Sequence, residues 1–121
     1  MAGIEPSAID YINAHATSTP GGDIEEARAI SNIFGDEVPV SSTKSMTGHE
    51  CWMAGSSEAI YGLLMLNGNF IAPNINFVDP DMETSKINVI RKTTKTELNC
   101  FMSNSFGFGG TNSTLIFKKY E

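Results

Sequence analysis

Val38-Pro39-Val40-Ser41-Ser42-Thr43-Lys44-Ser45-Met46-Thr47-Gly48-His49 opens on a short β-branched run and closes on a glycine and a histidine. Val38–Ser42 reads as a short strand. Thr43–Gly48 reads as a glycine-containing loop. From His49 to Asn67 the chain carries Ala54, Ala59, Ile60, Leu63 and Leu64. That stretch is apolar over much of a helical circumference, and such a helix is normally buried between layers. Strand, loop and buried helix in that order point to a layered α/β sheet.

The flanks repeat the alternation. Ala8–Ile12 gives a strand ending near His15, followed by a loop from Thr17 to Gly22. Ile24, Ala27, Ile30 or Ser31, and Phe34 then recur at helical spacing, which predicts a helix over Asp23–Phe34. Asp23 or Thr19 is placed to cap its start and Gly35 to end it. Asn67-Gly68-Asn69 stops the second helix, and Pro73 and Pro80 lie in a long loop. Ile87–Ile90, Cys100–Asn104 and Ser113–Phe117 are further strand candidates. The last two are joined by a glycine-rich turn that suits an antiparallel edge. No internal repeat or low-complexity segment is present.

Composition bounds the function. The 121 residues are 40% hydrophobic and 18% charged, as in an ordinary single globular domain. No apolar run reaches the roughly 18 residues that a membrane span needs. The first ten residues lack the basic and apolar regions of a secretory signal. The net charge is −6, and only Arg91-Lys92 and Lys118-Lys119 cluster, which argues against nucleic-acid binding. Cys51 and Cys100 make no disulfide framework and read as reduced thiols in a cytoplasmic protein. His15, His49, Cys51 and Cys100 lack the spacing of a zinc site, so no metal is expected.

Four features carry chemistry. Asn13-Ala14-His15-Ala16-Thr17-Ser18-Thr19-Pro20 puts a histidine and three hydroxyls at a strand end, where α/β sheets gather functional groups. Alone, such a histidine fits a structural role as well. Lys44 and His49 precede the buried helix. A histidine at a helix N-terminus is disfavoured as imidazolium, and a neutral ring can donate to a developing oxyanion; an ordinary capping loop with a solvated lysine reads equally well. Glu58 follows His49 by nine residues, two and a half turns, and so faces away from it. An acid in an apolar stretch needs a partner, and Lys44 is the nearest candidate, unless the carboxylate is exposed. Finally, Asn104-Ser105-Phe106-Gly107-Phe108-Gly109-Gly110-Thr111-Asn112 has glycines for close backbone approach and two phenylalanines fit either to gate a pocket or to plug the core. It lacks a phosphate-loop pattern.

Together, Asn13–Pro20, Ser42–His49 and Ser103–Asn112, in this order and with Ile71–Asn76 between them, resemble the elongating β-ketoacyl–acyl carrier protein synthases of the thiolase superfamily. The resemblance implies the C-terminal half of a thiolase-like α/β fold, a five-stranded mixed sheet with packed helices across residues 1–121. It implies decarboxylative Claisen condensation of malonyl–acyl carrier protein with an enzyme-bound acyl group in fatty acid biosynthesis, with no cofactor. His15 and His49 match the two histidines that polarise the malonyl thioester. Lys44 matches the lysine supporting the site and Glu58 its acidic partner. Thr17 and Thr19 match hydroxyls that hold the pantetheine arm, and Phe106 and Phe108 the loop gating acyl entry. The implied partners are acyl carrier protein and, in full-length form, a second copy of the synthase.

The sequence departs from the family pattern in three places. Ala16 replaces a usual glycine. Glu50-Cys51-Trp52-Met53 replaces small residues. The nucleophile half is absent, and neither Cys51 nor Cys100 has the nucleophile's setting, so both are expected to be packed thiols and the chain alone to be inactive, with uncovered apolar surface. A non-catalytic chain-length-factor partner is the main alternative. A thiolase proper would show a second reactive cysteine near the end, and a stand-alone carrier-binding module would need no paired histidines.

Overall fold

Side-chain parity along three short strands sets the layers. The computed structural model describes residues 2–120. Its central strand β1, Tyr11–Asn13, is fully buried on both faces. Neighbouring strands are β2 (Pro39–Ser41) and, on the other side, β6 (Cys100–Phe106). Both run parallel to β1 and place Ser41 and Ser103 level with Asn13. Outside them lie β4 (Asn88–Val89), parallel to β2, and β7 (Asn112–Lys118), antiparallel to β6. The five-stranded mixed sheet therefore has the order β4-β2-β1-β6-β7, with the expected antiparallel edge.

Helix α1, Gly22–Phe34, covers the face presented by Ile12, Val40, Cys100 and Met102, and inserts Ile30 among them. Helix α3, Ala54–Gly68, covers the opposite face and packs Met65 and Leu66 on Tyr11 and Phe101. Successive residues on each strand thus feed different cores. Phe101 stacks on Phe117 across the β6–β7 pair, with ring centroids 4.9 Å apart. Tyr11 reaches Ser41, whose hydroxyl donates to the Ala72 carbonyl at 2.8 Å. Ser41 has one proton to give, so the Tyr11 phenol is the donor in the 2.8 Å contact between them.

Several boundaries differ from the sequence expectation. Residues Pro6–Ala8 form a 3₁₀ turn and β1 starts later, at Tyr11. Neither Asp23 nor Thr19 caps α1 with its side chain. Asp23 instead accepts the Ser18 N–H at 3.0 Å, tying the preceding loop to the helix. Gly35, at φ 70°, ends α1 as expected, and Asn69, left-handed at φ 50°, ends α3. The loop expected at Thr43–Gly48 contains a short helix, α2, over Lys44–Thr47. The long apolar helix does not begin at His49. A 3₁₀ turn at Cys51–Met53 intervenes and α3 starts at Ala54. Two-residue strands β3 (Phe70–Ile71) and β5 (Thr94–Lys95) pair antiparallel, the first at the start of the expected loop and the second where the sequence pointed to no element.

α3 is apolar on its outer side as well, with Ile60, Leu63 and Leu64 exposed, and Trp52 and Met53 exposed just before it. This matches the expectation of uncovered apolar surface. Where α3 crosses β6, Gly62 lies against the Phe101 ring, and a β-carbon there would overlap it. Alanine would add about 1 kcal/mol of helix propensity, whereas overfilling a packed core costs about 1–3 kcal/mol. Gly62→Ala is therefore expected to lower the thermal unfolding midpoint; an unchanged or raised midpoint would show that α3 stands further from β6.

Candidate functional site

The site is built at the carboxyl ends of β1 and β2. Beyond Asn13 the chain turns sharply, with Ala16 at φ 24° and Ser18 at φ 62°. Both lie in the left-handed region that favours glycine. The turn is held by Glu26 of α1. Its Oε1 accepts the His15 N–H at 2.9 Å and its Oε2 the Ala16 N–H at 2.8 Å. Oε1 also accepts the Asn104 Nδ2–H at 3.0 Å. Burial pushes the Glu26 carboxyl above the usual carboxylate range, and these donors pull it back. The sequence reading did not single out Glu26. One signal was available: it lies four residues before Ile30, on the buried side of α1.

On the other face Asn13 organises the second loop. Its Oδ1 accepts the Thr43 N–H at 3.2 Å and its Nδ2 donates to Thr43 Oγ1 at 3.3 Å. This clamps the start of α2, from which Lys44 runs inward. Lys44 is 8% exposed and Glu58 2%. The Lys44 ammonium hydrogen-bonds Glu58 Oε1, as the sequence suggested. Burial raises the Glu58 carboxyl, and the Lys44 hydrogen bond and charge oppose it. The expectation that Glu58 faces away from His49 around one helix axis does not apply, because His49 precedes α3 by a 3₁₀ turn.

His49 likewise lies before the 3₁₀ turn and not in the first turn of α3. A backbone bond orders this ring. The Cys51 N–H, at a residue with φ 50°, donates to His49 Nδ1 at 3.1 Å. A nitrogen that accepts a hydrogen bond carries no proton, so the neutral ring is protonated on Nε2. The His15 and His49 rings stand edge to face, with centroids 5.7 Å apart and planes at 89°. Desolvation lowers the His15 pKa to about 4, assisted by the positive charge of Lys44 and by His49. His15 is thus uncharged at neutral pH.

Phe106, at the end of β6, packs edge-on to His15 with centroids 5.6 Å apart. Phe108 is not brought to the imidazoles; it is fully exposed in the hairpin turn. Thr17 and Thr19 lie beside each other, their hydroxyls 3.3 Å apart. A cavity of about 380 Å³ reaches in beside the loops, lined by Thr17, Ser42, Lys44, Ser45, His49 and Asn74 among others. Among the described residues no group of three or more His, Cys, Asp or Glu side chains is placed to hold a metal ion. Cys100 is buried on β6 and burial raises its thiol pKa. Cys51 is exposed, which corrects the expectation of two packed thiols. No helix of the described residues is long and apolar enough to cross a membrane.

The match to known families agrees with this architecture. The pattern of the β-ketoacyl synthase C-terminal domain fits residues 1–78. The chain belongs to the β-ketoacyl synthase family. It is 58% identical over 115 residues to 3-oxoacyl-[acyl-carrier-protein] synthase 1 of Haemophilus influenzae, covering 93% of this chain and 28% of that protein. It is 52% identical over 122 residues to the synthase 1 of Escherichia coli K12, covering 100% of this chain and 30% of the relative. The crystal structure of a β-ketoacyl synthase from Burkholderia phymatum STM815 superposes with a TM-score of 0.91 at 37% identity, covering 99% of this chain and 30% of that one. The α/β fold is therefore that of a thiolase-like ketosynthase C-terminal part. The chain spans less than a third of the length of these β-ketoacyl synthases.

His15 is expected to titrate with a midpoint of about 4 in an NMR titration of its ring carbons. The unfolded ring binds a proton near pH 6.5. Between those values the unfolded state holds more protons, so the His15 contribution to stability is lost as pH falls through this window. Lys44→Met is expected to raise the midpoint, since the ammonium opposes the imidazolium. A midpoint that stays put would exclude that coupling.

Proposed function

We propose that this chain is the C-terminal part of a 3-oxoacyl-[acyl-carrier-protein] synthase of fatty acid biosynthesis, an acyltransferase acting in the cytoplasm. The observation that carries this reading is the perpendicular imidazole pair, with His49 Nδ1 occupied by the Cys51 N–H. Two imidazole N–H groups on rings at this spacing suit one acceptor oxygen. In the proposed reaction that oxygen is the thioester carbonyl of malonyl–acyl carrier protein. The bond to the malonyl carboxylate breaks, carbon dioxide leaves, and its electron pair passes into an enolate held by the His15 and His49 N–H groups. The enolate carbon attacks the thioester of an acylated cysteine, and the cysteine departs as thiolate. That cysteine belongs to the part of a synthase that this chain does not span.

The remaining side chains fall into supporting roles. Lys44, locked to Glu58, supplies a fixed positive charge behind the imidazoles. Thr17 and Thr19 hold the pantetheine arm of the carrier-bound substrate. Phe106 and Phe108 gate acyl entry; the exposed Phe108 swings against an acyl pocket that the rest of the synthase completes. No organic cofactor is needed, because loss of carbon dioxide drives the step. The full-length protein works as a homodimer with acyl carrier protein as substrate carrier, and the 121-residue chain by itself is inactive. A non-catalytic chain-length-factor role is less well supported, because His15, Lys44 and His49 are all present and assembled.

The test is a graft. This chain replaces the matching C-terminal segment of the Haemophilus influenzae synthase 1, and malonyl-carrier decarboxylation and condensation are assayed. The graft is expected to catalyse both. His15→Ala and His49→Ala are each expected to lower decarboxylation by roughly 10²–10³-fold, the usual effect of deleting one oxyanion donor. A folded graft that forms no product, or whose decarboxylation survives loss of both rings, would overturn the reading.

A further inference from the structure

Glu26 has a second role beyond holding the His15 turn. Its Oε1 also meets Asn104 Nδ2 at 3.0 Å, and Asn104 Oδ1 accepts the Thr114 hydroxyl proton at 2.9 Å. A hydrogen-bonded chain thus runs from the His15 and Ala16 amides through Glu26 and Asn104 to β7. Asn104 is 4% exposed and lies two residues before Phe106, whose ring abuts His15. Its amide donates on one side and accepts on the other. A carboxylate cannot donate there and an alanine does neither.

We propose that Asn104 is a positioning residue, which holds the hairpin carrying Phe106 in fixed relation to the His15 turn through the Glu26 carboxylate. The proposal rests on the synthase reading above for its activity readout only. Asn104 touches no reacting atom; it acts through Glu26 and the backbone of the turn. The charged group coupled to this carboxylate is Asp23 on the same helix; His15 meets it through its backbone N–H, and the His15 ring is coupled instead to Lys44 and His49.

Asn104→Asp, in the grafted synthase, provides the test. It keeps the side-chain size and the acceptor for Thr114, but sets one carboxylate against another. Two such groups in contact cannot both stay ionised without opening, whereas one shared proton restores the link. Decarboxylation kcat is expected to fall about ten- to a hundred-fold at about pH 8.5, as for a misplaced catalytic group, with KM little changed. It is expected to recover as the pH is lowered to about 6, over a range where the parent changes little. A role confined to stability would give no such acid recovery. In protein labelled with ¹⁵N at histidine and alanine, the His15 and Ala16 amide signals should move in the variant and return with the same midpoint. Thr114→Val, on the exposed edge strand, should shift the same signals in a milder way, and Thr114→Ser should restore them. A parent-like rate at about pH 8.5, or a loss equal at every pH, overturns the proposal. If Asn104→Asp fails to fold, unmoved signals in Thr114→Val overturn it. If the parent graft lacks decarboxylation, the synthase reading fails while the amide signals still decide this one.

Discussion

Two carboxylates without access to bulk water fix where the histidines stand. Glu26 enters from α1 on one face of the sheet and Glu58 from α3 on the other. A buried carboxylate must be met by donors or by a cation, or it costs several kcal/mol. Glu26 is met by two consecutive amides and an asparagine, and Glu58 by Lys44. Each acid therefore pins its helix, in both rotation and height, to the carboxyl end of the parallel strands. The loops bearing His15 and His49 are shaped around these two anchors. Helix docking and site geometry are one constraint here.

The electrostatics follow from the same placement. Lys44 is held inside by Glu58 and lies close enough to disfavour a proton on His15. His49 is controlled differently, by a backbone amide that selects which nitrogen carries hydrogen. One ring is kept neutral by surroundings and charge, the other is oriented by a local turn. The second device uses the irregular backbone between α2 and α3, where Cys51 adopts positive φ.

The elements with long repeating patterns were legible from sequence. α1 and the core of α3 are fixed by apolar spacing, and the β6–β7 edge by two strand-forming runs around a glycine turn. The Lys44–Glu58 pair was also legible, because an acid in an apolar helix demands a cation. The start of α3 was not, since a 3₁₀ turn and a left-handed cysteine leave no periodic trace. β3 and β5 were missed because two-residue ladders are too short to show alternation. Glu26 was missed because it sits next to exposed Glu25, and the pair looks like a solvated face until its phase relative to Ile30 is considered. Phe108 lies away from the imidazoles in this chain, as proximity in sequence to Phe106 does not carry it around a flexible glycine turn.

Asn13, Ser41 and Ser103 form a level row across β2, β1 and β6, all buried on the α3 face. Below that row the same face is aromatic, with Tyr11 and Phe101 against Met65 and Leu66. A strand shifted by two residues would keep its facing parity, so hydrophobic alternation alone does not forbid the error. It would, however, slide an amide or hydroxyl under a thioether and a phenyl ring. The polar row thus works as a vernier mark, which makes the correct alignment of three parallel strands unique.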